Sequence, residues 1–148
     1  MKIIRKIIRE EIDKNLKIEV FLGGTANNSQ WRDDLIEKLK IHYFNPIVND
    51  WNEEVQKNEI KKRKTCDYIL YVITPKMSGV YSIAEVVDDS NKRPEKTLFC
   101  ILEKDEDNKF DKHQIKSLNM VKSMVKENGV KIFENLNQIA NYLNKQKK

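Results

Sequence analysis

The apolar positions of this chain fall into two rhythms that alternate along its length. Ile3, Ile4, Ile7, Ile8 and Ile12 recur at helical spacing, with Lys2, Arg5, Lys6, Arg9 and Glu10 largely opposite, so residues 2–13 predict an amphipathic helix. Leu16–Leu22 then reads as a strand that ends in Gly23-Gly24-Thr25. Ser29 is placed to cap a helix to about Lys40, with Trp31, Leu35, Ile36 and Leu39 inward. Tyr43–Val48 predicts a short second strand, and its Pro46 suits a sheet edge. Asp50-x-x-Glu53 has the spacing of a capping box and opens a helix to about Lys64. A third strand spans Asp67–Ile73, followed by a helix from Ser82 to about Ser90. Thr97–Leu102 gives the fourth strand and Glu103–Lys112 a polar loop. A helix to about Lys126, a strand over Val130–Phe133 and a last helix capped by Asn135 complete the series.

Strands alternating with helices specify an α/β fold. The expected architecture is a single doubly wound, flavodoxin- or Rossmann-like domain. Its five-stranded parallel sheet has the order 2-1-3-4-5, with helices on both faces and an extra N-terminal amphipathic helix. Residues 1–14 form a helical extension and residues 15–148 the α/β domain. A chain of 148 residues is long enough for one substantial core.

Charge invites a nucleic-acid reading, since the formal net charge is +5. The first 17 residues and Lys145, Lys147 and Lys148 hold that excess, so the body of the domain is almost neutral. Lys61-Lys62-Arg63-Lys64 is the internal basic cluster, read as a solvated helix face without interleaved aromatics. Nucleic acid and membrane are therefore not expected partners. No stretch has the length of a membrane span or the uninterrupted apolar region of a signal peptide, and the cytoplasm is the expected compartment. Cys66 and Cys100 adjoin or lie within apolar runs and read as buried thiols, while His42 and His113 stand apart. Neither a metal site nor a cofactor is expected.

The chemistry concentrates after the third strand. Its apolar run breaks at Thr74-Pro75, passes Gly79 and enters the helix that begins Ser82-Ile83-Ala84-Glu85. Ligands of open α/β sheets bind outside the carboxyl ends of strands. A carboxylate near a helix N-terminus sits in a field that favours its ionised form, so Glu85 suits a nucleophile at a sugar carbon. Ser82-x-x-Glu85 also has capping-box spacing, and the two readings stay open. Gly23-Gly24-Thr25 permits close approach of a ligand to backbone, with Thr25 and Asn27 as polar contacts, or else makes a tight turn. It is neither a dinucleotide fingerprint nor a P-loop. A phosphoacceptor receiver domain would need acidic residues at the ends of strands one and three, where Gly23-Gly24 and Ile73-Thr74 stand.

Together F-L-G-G-T (21–25), F-N-P-I-V-N-D-W (44–51), C-D-Y-I-L-Y-V-I-T-P (66–75) and G-V-Y-S-I-A-E (79–85) resemble the nucleoside 2-deoxyribosyltransferase-like proteins, in a divergent branch. The resemblance covers about residues 18–102. It implies the same five-stranded fold, assembly as a homo-oligomer, and transfer of deoxyribose between bases through a covalent glycosyl-glutamate. It places Glu85 at the nucleophile and Glu59 at an acidic position that contacts the base. Two departures accompany it. Phe21 stands where the exchange enzymes carry a tyrosine that orients the nucleophile, and Gly79 where they carry an aspartate that assists the base.

A nucleoside or nucleotide and a free nucleobase are then the expected substrates. Asn45 and Asp50 are candidate polar readers of the base, and Trp51 and Tyr81 candidate stacking surfaces. Trp51 can equally cover a helix end, and Tyr81 can equally be core. Gly79 and Ser82 complete the candidate substrate loop. Two further classes compete with the transferase. One is an N-glycosidase that uses water as acceptor. The other is a nucleotide-sensing module that kept the crevice and lost the chemistry.

Overall fold

The computed structural model describes residues 1–148, leaving the side chains of residues 13–16 outside the description. The central sheet is built from β1 (Glu19–Gly24), β2 (His42–Phe44), β3 (Tyr68–Ile73), β4 (Thr97–Ile101) and a last strand at Lys131–Phe133. All neighbours are parallel, in the spatial order β2, β1, β3, β4, then that last strand. This is the doubly wound order read from the sequence. The central strands β1, β3 and β4 bury both faces and so read as apolar strings, as parallel strands do.

Alternate residues divide into two cores. Val20, Leu22, Leu70, Val72, Leu98 and Cys100 pack under α2 (Trp31–Ile36) and the C-terminal helix at Leu136–Asn144. Phe21, Ile69, Tyr71, Ile73 and Phe99 face the other way. There α4 (Tyr81–Lys92) and α5 (Lys112–Glu127) cover the sheet. Helix α3 (Glu53–Thr65) lies on that side too, since Arg63 reaches Asp89 of α4.

Several boundaries differ from the sequence reading, each for a local reason. Helix α1 (Lys2–Leu16) runs past residue 13 and β1 starts at Glu19; the expected 14/15 division falls among residues 13–16, whose side chains lie outside the description. Helix α2 stops at Ile36 and begins after Gln30 without a side-chain cap. Ser29 does not cap it, because the Ser29 hydroxyl donates to the Asp105 carboxylate at 2.5 Å. Strand β2 ends before Asn45-Pro46, where proline removes a ladder donor. Asn52 rather than Asp50 caps α3, accepting from the Val55 N–H.

The supposed polar loop after β4 holds a two-stranded antiparallel hairpin, β5 (Lys104–Asp105) with β6 (Asn108–Lys109). Asp105 fastens it over the sheet, accepting from Ser29 and, at 2.6 Å, from the Thr74 hydroxyl. The last sheet strand is thus β7, and the helix after it α6. Asn135 caps α6 as expected.

Candidate active site

The winding of the strand order reverses at β1, since β2 lies to one side of it and β3 and the later strands to the other. The crevice expected at such a switch point is built from the Gly24–Asn27 loop, the loop before α4 and the facing side of α3. Gly24 has φ +118, and a Cβ placed there would lie 2.0 Å from the Val72 carbonyl oxygen. Backbone and side chain then lock the loop. The Thr25 N–H donates to Val72 O at 2.9 Å, and the Thr74 N–H donates to the Thr25 hydroxyl at 2.9 Å. Gly23 lies against the Tyr71 ring, which a Cβ would meet at 2.6 Å.

Arg32 braces the same loop from α2, a role with no sequence signature. Its guanidinium donates to the carbonyls of Leu22, Thr25 and Gly24 at 2.9, 2.6 and 3.1 Å and stacks on Trp31. Burial lowers its pKa to about 10, against the pull of Glu59, Asp33 and Glu85.

Glu85 is the fifth residue of α4, about one turn in from its start. The helix is preceded by Val80, and no side chain caps it, so Ser82 and Glu85 do not form a capping box. Glu85 is instead turned inward and only 6% exposed. Burial dominates over the helix field: desolvation, with Glu59 and Asp89 adding like charge, pushes the carboxyl up to about 7 against the pull of Arg63 and Arg32. The expectation that the helix N-terminus favours its ionised form is thereby corrected.

Arg63 is the second correction. It belongs to the basic run on α3, yet it is 7% exposed and points at α4. Its Nε lies 3.6 Å from Glu85 Oε2. Its Nε and Nη2 donate to the two Asp89 oxygens at 3.2 and 3.1 Å, and Nη2 also reaches Asp88 at 3.1 Å. Burial opposes that charge, but the hydrogen bond and charge of Asp89, with Tyr71 and Glu85, hold the guanidinium firmly protonated. Asp89 is fully buried and also receives the Tyr71 hydroxyl at 2.5 Å and the Arg93 guanidinium.

Glu85, Glu59, Arg63, Gln56, Ile60, Trp51 and Tyr81 line one cavity of about 200 Å³. Glu59 is half-buried, and desolvation raises its pKa against the pull of Arg63 and Arg32. Gly24, Thr25, Asn27, Gly79 and Ser82 line a neighbouring cavity of about 130 Å³, and Tyr81 borders both. Tyr81 is 62% exposed and Trp51 61%, so Tyr81 is not part of the core. Asn45 and Asp50 line neither cavity; the Asn45 side chain turns back to accept from the Ile47 N–H. Phe21 is buried and stacked on Phe44, offering no hydroxyl. Gly79 meets open space and offers no carboxylate.

A larger groove of about 940 Å³ lies between α4 and α5, lined chiefly by Met77, Val80, Ile83, Val87, Leu118 and Val121. It has the volume for a ligand but lacks the facing carboxylates of the smaller cavity. Both cysteines are buried free thiols pushed up to about 12 by desolvation. Among the described residues no group of His, Cys, Asp and Glu is arranged to hold a metal ion, and no helix is long and apolar enough to cross a membrane.

No curated protein gives a significant match to the chain. A family model described as nucleoside 2-deoxyribosyltransferase like matches residues 17–104, a span that runs from β1 into β5 and holds Glu59, Arg63 and Glu85. With that match over more than half of its length, the chain belongs to the nucleoside 2-deoxyribosyltransferase-like family.

Proposed function

We propose that the protein cleaves the N-glycosidic bond of a 2′-deoxynucleoside and transfers the sugar to a second base. The observation that carries this reading is the pairing, across one small cavity, of a buried Glu85 with a half-buried Glu59. As the bond from C1′ to the base nitrogen breaks, positive charge grows on the sugar and Glu85 stabilises it. Its carboxylate oxygen then bonds to C1′. Glu59, whose pKa desolvation raises, gives its proton to the leaving base. A second base attacks C1′, loses its N–H proton to the Glu59 carboxylate and returns the Glu85 carboxylate, giving net retention. Trp51 and Tyr81 supply exposed aromatic faces for stacking the base. The Gly24–Thr25 loop with Gly79 and Ser82 takes the far side of the sugar.

Two expectations follow for the rate. The acid limb of kcat/KM lies near pH 7, because ionised Glu85 is required and its carboxyl is pushed up to about 7. Glu59→Gln lowers kcat by roughly 10²- to 10⁴-fold, with a smaller loss for nucleosides whose bases leave without a proton. Chromatography of deoxynucleoside substrates with a different free base separates the readings. A new deoxynucleoside supports transfer, whereas free base released without exchange moves the function to an N-glycosidase. The missing tyrosine and aspartate at Phe21 and Gly79 favour a third reading, a nucleotide-sensing module, which predicts saturable binding with no product.

We further infer a homo-oligomer. Ile3, Ile4, Ile7, Ile8 and Ile12 of α1 are each at least half exposed, more apolar surface than an isolated helix face leaves in water without a partner. Removing residues 1–14 is expected to lower the mass measured by light scattering while the α/β domain stays folded. An unchanged mass would assign assembly to another face, such as the α4–α5 groove.

A further inference from the structure

Glu85 is not hydrogen-bonded to Arg63. The guanidinium gives its well-placed donors to Asp89 and Asp88 and leaves Glu85 at 3.6 Å. A carboxylate gripped by a bidentate arginine is strongly stabilised as an anion, and such an anion attacks carbon poorly. A buried carboxylate with no cation nearby stays protonated and does not attack at all. The observed arrangement lies between these limits. Fully buried Asp89 holds Arg63 from one side, and Tyr71 and Arg93 in turn hold Asp89.

We propose that Asp89 is a positioning residue for the Glu85 nucleophile, acting through Arg63: it holds the guanidinium close enough to permit ionisation of Glu85 and too far to lock the carboxylate in an ion pair. The inference rests on the N-glycosidic reading of the site. It also explains how the site works without a hydroxyl at Phe21. Support for the nucleophile comes from α3 and from the far side of α4, with Tyr71 on β3 fixing Asp89 in place of a group on β1. When Glu85 becomes a neutral ester, Arg63 keeps Asp89 and Asp88 as counter-charges, so no cation is stranded in the cavity wall.

The groups that face Glu85 are Glu59 and Arg63 of α3, Asp89 of its own helix, Arg32 of α2 and Tyr71 of β3. Among them, the proposal makes opposite demands of two. Asp89→Asn removes a like charge and releases Arg63 toward Glu85, so Glu85 titrates lower by about one pH unit. Arg63→Lys withdraws the nearby cation to a shorter stem and a point charge, so Glu85 titrates higher by about one unit.

The test is carbon-13 NMR titration of the Glu85 side-chain carboxyl in wild type and both variants without ligand, with Glu85→Gln to assign the signal. Opposite shifts are the expected result, with the acid limb of kcat/KM following them. Asp89→Asn should also lose kcat with little change in KM, because its Glu85 is ionised but held. Shifts of the same sign, or none, overturn the proposal. Should Asp89→Asn fail to fold, Asp88→Asn carries the test. It frees one Arg63 contact from a more exposed position and is expected to shift Glu85 the same way, by less. The carboxyl titration is read with no substrate present, so a protein that turns nothing over can still bear the coupling out, and failure of the catalytic reading remains distinguishable.

Discussion

Glu85→Gln is expected to abolish turnover, by about 10⁴-fold or more as for loss of other covalent nucleophiles, and at the same time to make the protein more stable above neutral pH. The two effects have one cause. In the folded state burial raises the Glu85 carboxyl to about 7, whereas the unfolded chain titrates it near its ordinary value. The folded protein therefore binds this proton more tightly. The associated stability is fully present below about pH 4.5, is lost as pH rises, and is gone above about pH 7. Above that pH the wild type carries a buried charge worth roughly 3 kcal/mol of destabilisation. Glutamine keeps the shape and carries no charge. Urea unfolding of both proteins at pH 4.5 and pH 8 checks this, with similar midpoints at the lower pH and a higher midpoint for the variant at the upper. A Glu85 serving only as a helix cap would show neither the loss of turnover nor the gain.

Gly24→Ala has the largest expected effect on stability. The residue needs a positive φ, and its Cβ would meet the backbone of β3, which cannot move aside as a flexible side chain does. Strained backbone and overpacking each cost about 1–3 kcal/mol. The nearby bonds from Thr25 N–H to Val72 O and from Thr74 N–H to the Thr25 hydroxyl loosen with it. A loss of about 3–5 kcal/mol is expected, together with loss of ligand binding in whatever protein remains folded. Gly79→Ala is the control, since a Cβ there meets nothing within 4 Å. It should unfold like the wild type.

The sheet was legible because β1, β3 and β4 bury both faces and so show unbroken apolar runs. The hairpin β5–β6 was not. Its strands have two residues each and no apolar alternation, and what holds it is the Asp105 side chain reaching Ser29 and Thr74. The site was legible in part. Glu85 stood out by residue type and position and Glu59 by resemblance alone, and the two do line one cavity. Capping spacing at Ser82 and Glu85 could not by itself be told from a buried carboxylate; the start of α4 after Val80 decides it. Arg63 escaped notice because Lys61, Lys62 and Lys64 surround it, and a charged run reads as solvated. Its burial depends on Asp88 and Asp89, on the next helix. The pair of aspartates there was the available signal, since buried cations need partners. Arg32 gave no signal, because its partners are backbone carbonyls.

The central claim is a covalent bond between C1′ and Glu85, and peptide mass spectrometry after acid quenching of protein incubated with a panel of 2′-deoxynucleosides addresses it directly. A deoxyribosyl adduct on the peptide that carries Glu85, formed by wild type, absent from Glu85→Gln and discharged by added base, is the predicted result. Product formed without an adduct, at a rate that Glu85→Gln leaves unchanged, would contradict it.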